Sequence, residues 1–164
     1  MSKSLARVRA ALEAAGIAPD LREMGVETRT AEQAAAAAGC HLDQIAKSIL
    51  FRGQDTGQLW LFLTAGGNRV CPDRATALAG EALGRADADQ VRAVTGFAIG
   101  GVAPLGSLTP LPAFIDPRLT EFAVVWAAGG TPRHIFPIAP ADLERVTGAR
   151  RADFCLRPPG PAPM

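Results

Sequence analysis

At 164 residues, with 48% hydrophobic and 20% charged side chains, the chain has material for one packed domain and lacks the composition of a disordered one. A formal net charge of +1 excludes the strongly basic character of a protein gripping long DNA or RNA through many phosphates. It leaves room for a local basic patch, because net charge does not report how charges are distributed.

The N-terminal residues alternate charge with apolar side chains, unlike a signal peptide, and no run of about 18 apolar residues that could span a membrane follows. A cytoplasmic protein with no membrane partner is expected. Leu5, Val8, Leu12 and Ala15 have helical spacing, with Gly16 and Pro19 as stops. Residues 21–26 can form a short strand, and Thr30 with Gln33 has capping-box spacing ahead of an Ala-rich helix ending at Gly39. Residues 45–51 and 59–63 read as buried strands joined by a hairpin loop over 52–58. Pro72 suits the first turn of a helix running to Gly80 or Gly84, and Asp87 with Gln90 starts a short helix stopping at Gly96.

Residues 96–106 are too broken for a helix and apolar enough to be buried, which predicts a strand running into a tight turn. Further strands are expected over 111–115, 122–127 and 134–138, the last two joined by a turn at Gly129-Gly130-Thr131-Pro132. Pro140 opens a final helix carrying Leu143 and Val146 before Gly148. Helices and strands without strict alternation predict an α+β (mixed α/β) fold: one compact domain over 1–156, its sheet largely antiparallel or mixed and flanked by helices. The Pro-rich stretch 157–164 is expected to be a mobile tail.

Lys47 lies in the apolar run Ile45-Ala46-Lys47-Ser48-Ile49-Leu50-Phe51 and is the only lysine after Lys3 in an arginine-rich chain. On a strand its side chain points opposite to Ser48, where it can bind a phosphate or other anion, or be solvated on an outer face. The glycines at 96, 100, 101 and 106 with Pro104 permit close backbone approach, either to a ligand or simply at a turn. Their spacing fits neither a dinucleotide fingerprint nor a phosphate-binding P-loop. His41 and His134 are too few and too distant for a metal site, and the three cysteines lack paired zinc spacing, so neither metal nor cofactor is expected. Cys155 with Cys40 and Cys71 reads as reduced thiols rather than a disulfide framework, and Cys40 and Cys71 as buried and inert. Thr95, Ser48 and Asp116 could line a pocket or serve as ordinary caps and turns.

Together, Ala46-Lys47-Ser48-Ile49-Leu50-Phe51, Gly96-Phe97-Ala98-Ile99-Gly100-Gly101-Val102-Ala103-Pro104-Leu105-Gly106 and Ala128-Gly129-Gly130 resemble the signature of the YbaK/ProX family of aminoacyl-tRNA deacylases, related to the editing domain of prolyl-tRNA synthetase. The resemblance extends from the first helix to the Pro140 helix. It implies hydrolysis in trans of a mischarged tRNA, with the acceptor end as partner, prolyl-tRNA synthetase as an implied second partner, and alanine, cysteine, serine, threonine or 2-aminobutyrate as the amino acid removed. It also implies that Lys47 contacts phosphate, that the backbone of the loop from Gly100 to Pro104 orients the terminal adenosine and the aminoacyl ester, and that amides near Gly100 and Gly101 hold the ester. Ser48, Ile49, Leu50, Phe97, Ile99, Val102, Pro104, Gly129, Gly130 and His134 are the candidate substrate contacts, with core packing an equal alternative for Ile49, Leu50, Phe97, Ile99 and Val102. An activated ester needs a positioned water and a stabilised oxyanion, so no metal or covalent nucleophile is implied. A non-catalytic binder of the tRNA end or of a nucleotide, or a module docking on a synthetase, stays open.

Overall fold

The computed structural model describes residues 2–156; the segment 157–164, expected to be a mobile tail, lies outside the described residues. The first helix, α1 (Lys3–Ala14), starts where the Ser2 hydroxyl accepts from Leu5 N–H, and it buries Leu5, Val8 and Leu12. A two-residue strand, β1 (Arg22–Glu23), follows in place of the longer strand expected over 21–26. Thr30 then forms the expected capping box with Gln33, and α2 (Ala31–Ala38) ends at Gly39 in the left-handed conformation.

The central hairpin is β2 (Ile45–Gly53) and β3 (Leu59–Ala65). Helix α3 (Pro72–Ala79) has proline at its first position, and α4 (Ala88–Thr95) begins with the Asp87 carboxylate accepting from Gln90 N–H. Between them lies β4 (Leu83–Arg85), too short to carry a readable alternation. The remaining elements are β5 (Ala113–Ile115), β6 (Val125–Ala128), β7 (His134–Ile138), α5 (Pro140–Thr147) and β8 (Arg150–Arg151).

The strands form one mixed sheet in the order β1-β7-β6-β2-β3-β5-β8, with β4 also paired to β2. The β2–β6, β3–β5 and β5–β8 pairs are parallel and the other strand pairs antiparallel. This is the mixed α/β domain expected. Both faces are covered. Val8 and Leu12 of α1 pack with Leu61, Leu63, Ile115, Phe136 and Leu143 on one side. On the other, Phe62 sits between Phe114 and Phe154, with ring centroids 5.4 and 5.0 Å away.

The strand expected over 96–106 is absent. Gly96, Gly100 and Gly106 adopt φ of 78°, 92° and 83°, a conformation that breaks any extended run. The segment is an irregular loop strapped down by Arg7, whose guanidinium donates to the carbonyls of Gly106 (3.2 Å) and Gly96 (2.8 Å) and lies over the Phe97 ring. The two ends of the loop are tied together by one arginine from α1 rather than by a strand ladder.

Candidate active site

β2 is bonded to β3 from Ala46 to Arg52, but its other edge is broken. The β6 ladder covers only Ile45 and Ala46, and the β4 ladder only Phe51 to Gly53. Residues 47–50 therefore border a gap in the sheet, and a cavity of about 560 Å³ opens there. Such a volume lies in the range of small-molecule sites, roughly 300–1,000 Å³. β2 is correspondingly half-buried over residues 47–51, where a buried strand was expected, because an open cavity takes the place of a neighbouring strand.

Lys47 stands at this edge. Its Nζ donates to the Asn68 carbonyl at 2.7 Å, and Asn68 Nδ2 in turn donates to Asp116 Oδ2 at 2.9 Å. Burial pushes the Lys47 ammonium below the usual lysine range; the Glu32 carboxylate opposes this, and Arg69 adds to it. Lys47 makes no ion pair among the described residues. A half-desolvated cation held by one neutral carbonyl is available to an anion from outside.

Asp116, only 3% exposed, also accepts from Ala65 N–H, Arg118 N–H and the Cys155 thiol. It is thus a buried brace behind Lys47 rather than a pocket wall. Burial, reinforced by Asp116, pushes the Cys155 thiol up to about 12, which keeps it protonated and unreactive. Cys40 and Cys71 are half-buried rather than fully buried as expected, and burial also raises the Cys40 thiol. His41 Nδ1 accepts from Asp43 N–H as the cap of a short 3-10 turn (Leu42–Gln44). The Thr95 hydroxyl donates to the Val91 carbonyl and accepts from Phe97 N–H, an ordinary helix-end role.

The expected site residues divide into two groups. Lys47, Ser48, Ile49, Leu50, Ile99, Gly100 and Val102 line the cavity. Lys47 and Ser48 do so from opposite faces of β2 because the cavity lies off the strand edge. Phe97 does not: it is fully buried beneath Arg7. Gly101 packs on the backbone of residues 131 and 132, where an added Cβ would come within 2.6 Å, and its amide donates to the Ala98 carbonyl. Its amide is thus already engaged within the loop, and Gly100 is the loop glycine that lines the cavity. Pro104 borders a separate groove beside Ala11 and Val146. Gly129, Gly130 and His134 build the β6–β7 turn: Gly129 N–H donates to the His134 carbonyl, Gly130 abuts α1, and His134 Nδ1 bonds the Thr131 hydroxyl.

Sequence reasoning missed the wall supplied by Thr28, Arg29, Thr30 and Glu32 at the start of α2, and by Arg85 and Trp126. The Thr30 capping box marked a helix start, but a cap does not report what that start faces. Arg29 pairs with Glu27 at 2.8 Å, and its stem lies against Gly100.

Fold and cavity together describe a mixed α/β domain whose sheet opens at the centre of β2 onto a cavity lined by Lys47, Arg29, Arg85 and apolar side chains. A family model described as the aminoacyl-tRNA editing domain matches residues 26–146, and the chain belongs to that family, the YbaK-type editing domains. It is 30% identical over 128 residues to the uncharacterised protein YwhH of Bacillus subtilis, covering 78% of this chain and 81% of that one. It resembles the crystal structure of a candidate trans-editing enzyme for prolyl-tRNA synthetase, with 46% identity, a TM-score of 0.88, and coverage of 96% and 99% of the two chains. A structure of the hypothetical protein APE2540 matches at 27% identity and a TM-score of 0.83, with coverage of 92% and 99%. Among the described residues no helix is long and apolar enough to cross a membrane.

Proposed function

We propose that the protein is a trans-editing hydrolase that deacylates mischarged aminoacyl-tRNA in the cytoplasm, most directly proline tRNA carrying alanine, cysteine, 2-aminobutyrate, serine or threonine. The observation that carries this reading is the cavity at the broken edge of β2 with Lys47 beside it, bonded to the Asn68 carbonyl and in no ion pair among the described residues. The kinship with a candidate trans-editor for prolyl-tRNA synthetase supports proline tRNA as the first substrate to test.

In this reading Lys47 anchors a phosphate of the acceptor end. A half-buried ammonium with one of its three protons engaged retains donors for a phosphate oxygen, whereas a general base would first have to lose its charge. Gly100, at the rim with φ of 92°, presents backbone to the ester, and a ribose hydroxyl of the substrate assists the attacking water. Glu32, the acidic side chain in the wall, faces the cationic α-amino group of the aminoacyl ester. Synthetase pockets reject a side chain smaller by one methylene by only about 1–3 kcal/mol, and a second sieve of this kind removes the errors. Residues 1–156 form the functional unit.

Incubation with proline tRNA charged separately with each of the five amino acids tests the proposal. Release of one or more is expected, with loss of that release in Lys47→Ala. Absence of release from all five would overturn it.

A further inference from the structure

The broken edge of β2 also bears on how the end of the substrate is read. In an antiparallel ladder, mutually hydrogen-bonded pairs alternate with pairs whose backbone groups point away from each other. Gly53 N–H donates to the Gln58 carbonyl at 2.8 Å, so stepping back by twos makes Phe51, Ile49 and Lys47 the residues bonded to Trp60, Phe62 and Thr64. Ser48 and Leu50 therefore turn their backbone groups away from β3 and into the gap.

The flanking strands leave most of these groups without a partner. Pairing with β6 ends at Ala46 opposite Ala127, and pairing with β4 begins at Phe51 opposite Arg85. Phe51 and Arg85 form a pair of the non-bonded kind, whose bonds come from the flanking residues, so the Leu50 carbonyl is met by Ala86 N–H. What remains facing the cavity is, in order, Ser48 N–H, Ser48 C=O and Leu50 N–H. The Ser48 hydroxyl, shielded from solvent, likewise has no partner among the described residues. Buried backbone groups are almost always paired, so an unpaired donor and acceptor on an open edge call for a ligand with a complementary edge.

We propose that this edge reads the adenine base of the substrate's terminal adenosine. The exocyclic amino group of adenine donates to the Ser48 carbonyl, and Leu50 N–H donates to N1. Two further observations favour a flat base here. Ile99 stands 51% exposed over the cavity, an apolar side chain that a stacked ring would cover, and the Leu50 side chain lies alongside. The alternative cationic group of the ligand, its α-amino group, has Glu32 as a better partner than a neutral carbonyl. Guanine and hypoxanthine present an oxygen and an N1–H in the same places. They would set acceptor against acceptor and donor against donor, leaving both protein groups unsatisfied.

The inference rests on the tRNA-end reading of the cavity, and its test separates the two. Amide chemical shifts of the full-length protein are followed during titration with AMP, 7-deaza-AMP and IMP. Proline tRNA mischarged with alanine and ending in adenosine, 7-deazaadenosine or inosine is assayed in parallel. AMP and 7-deaza-AMP should both move the Leu50 amide and bind alike, with IMP about tenfold or more weaker, and deacylation should follow the same order. Equal binding of IMP, or loss of binding with 7-deaza-AMP, would overturn the assignment of this edge. Shifts of the expected pattern without deacylation of any mischarged proline tRNA would sustain the adenine site while removing the hydrolase.

Discussion

β3 is bonded along both edges, to β2 and to β5, and its side chains enter both cores: Leu61 and Leu63 on one face, Phe62 on the other. β2, one hairpin away, is bonded along a single edge at its centre and opens there onto a cavity. Both strands read alike as apolar runs, yet one is packed on both faces and the other turns a cation and unpaired backbone groups towards a cavity. A buried strand fixes the position of its neighbour, which can then leave an edge open without unfolding the sheet.

The sharpest way to break this comparison is to substitute the β3 side. Phe62→Ala removes a fully buried ring touching Phe114 and Phe154, and should cost about 3–5 kcal/mol in urea or guanidinium unfolding. A loss under about 1 kcal/mol would show that β3 is not the structural strand.

Lys47→Ala should do the reverse. Loss of a charged hydrogen bond to phosphate, about 1.5–3 kcal/mol, lowers kcat/KM by roughly 10- to 150-fold. The unfolding midpoint should stay the same or rise, because burial disfavours the ammonium. Unfolding with no specific kinetic loss would make Lys47 structural.

A smaller effect is expected in the loop. Gly101→Ala drives a methyl against the backbone of residue 131 and should cost about 1–3 kcal/mol, with activity falling as the Gly100 rim shifts. A silent substitution would show that the rim does not depend on this packing.

The smallest effect concerns pH. The folded state holds the Cys155 proton to about 12, above the ordinary thiol value of 9.0, so the folded protein binds more protons between those values. Its contribution to stability is complete below pH 9 and is lost as pH rises towards 12. Lys47 acts with the opposite sign: its lowered value makes stability rise as pH climbs towards the unperturbed lysine value of 10.5. Cys155→Ser should therefore flatten the alkaline decline seen by thermal melting across this window. An unchanged decline would remove Asp116 and Cys155 as a coupled pair.

Much of the fold was legible. Capping at Thr30 and Asp87, proline at the start of α3 and α5, and glycine stops at 39, 80, 96 and 148 are local signals, and each marks an element boundary. The loop at 96–106 was misread as a strand because its apolar composition matches one, while its conformation is set by glycine φ values and by Arg7, 89 residues away from Gly96 in sequence. The site was half legible for the same reason. Lys47, with its neighbours on β2, stood out as a lone lysine in an apolar run, but Glu32, Arg29 and Arg85 are ordinary surface charges until α2 and β4 are placed. Conversely Phe97, Gly101, Pro104, Gly129, Gly130 and His134 carry the family's texture but are used for packing, turns and a separate groove.

The mixed α/β class, most element boundaries and the strand that bears Lys47 follow from periodicity, capping and turn chemistry among near neighbours, and so are written locally in the chain. The broken edge of β2 has no such local signal and arises from long-range packing. That edge exists because β6 stops at one end and β4 begins at the other, and the register of three strands from distant parts of the chain is set by packing rather than by any local pattern.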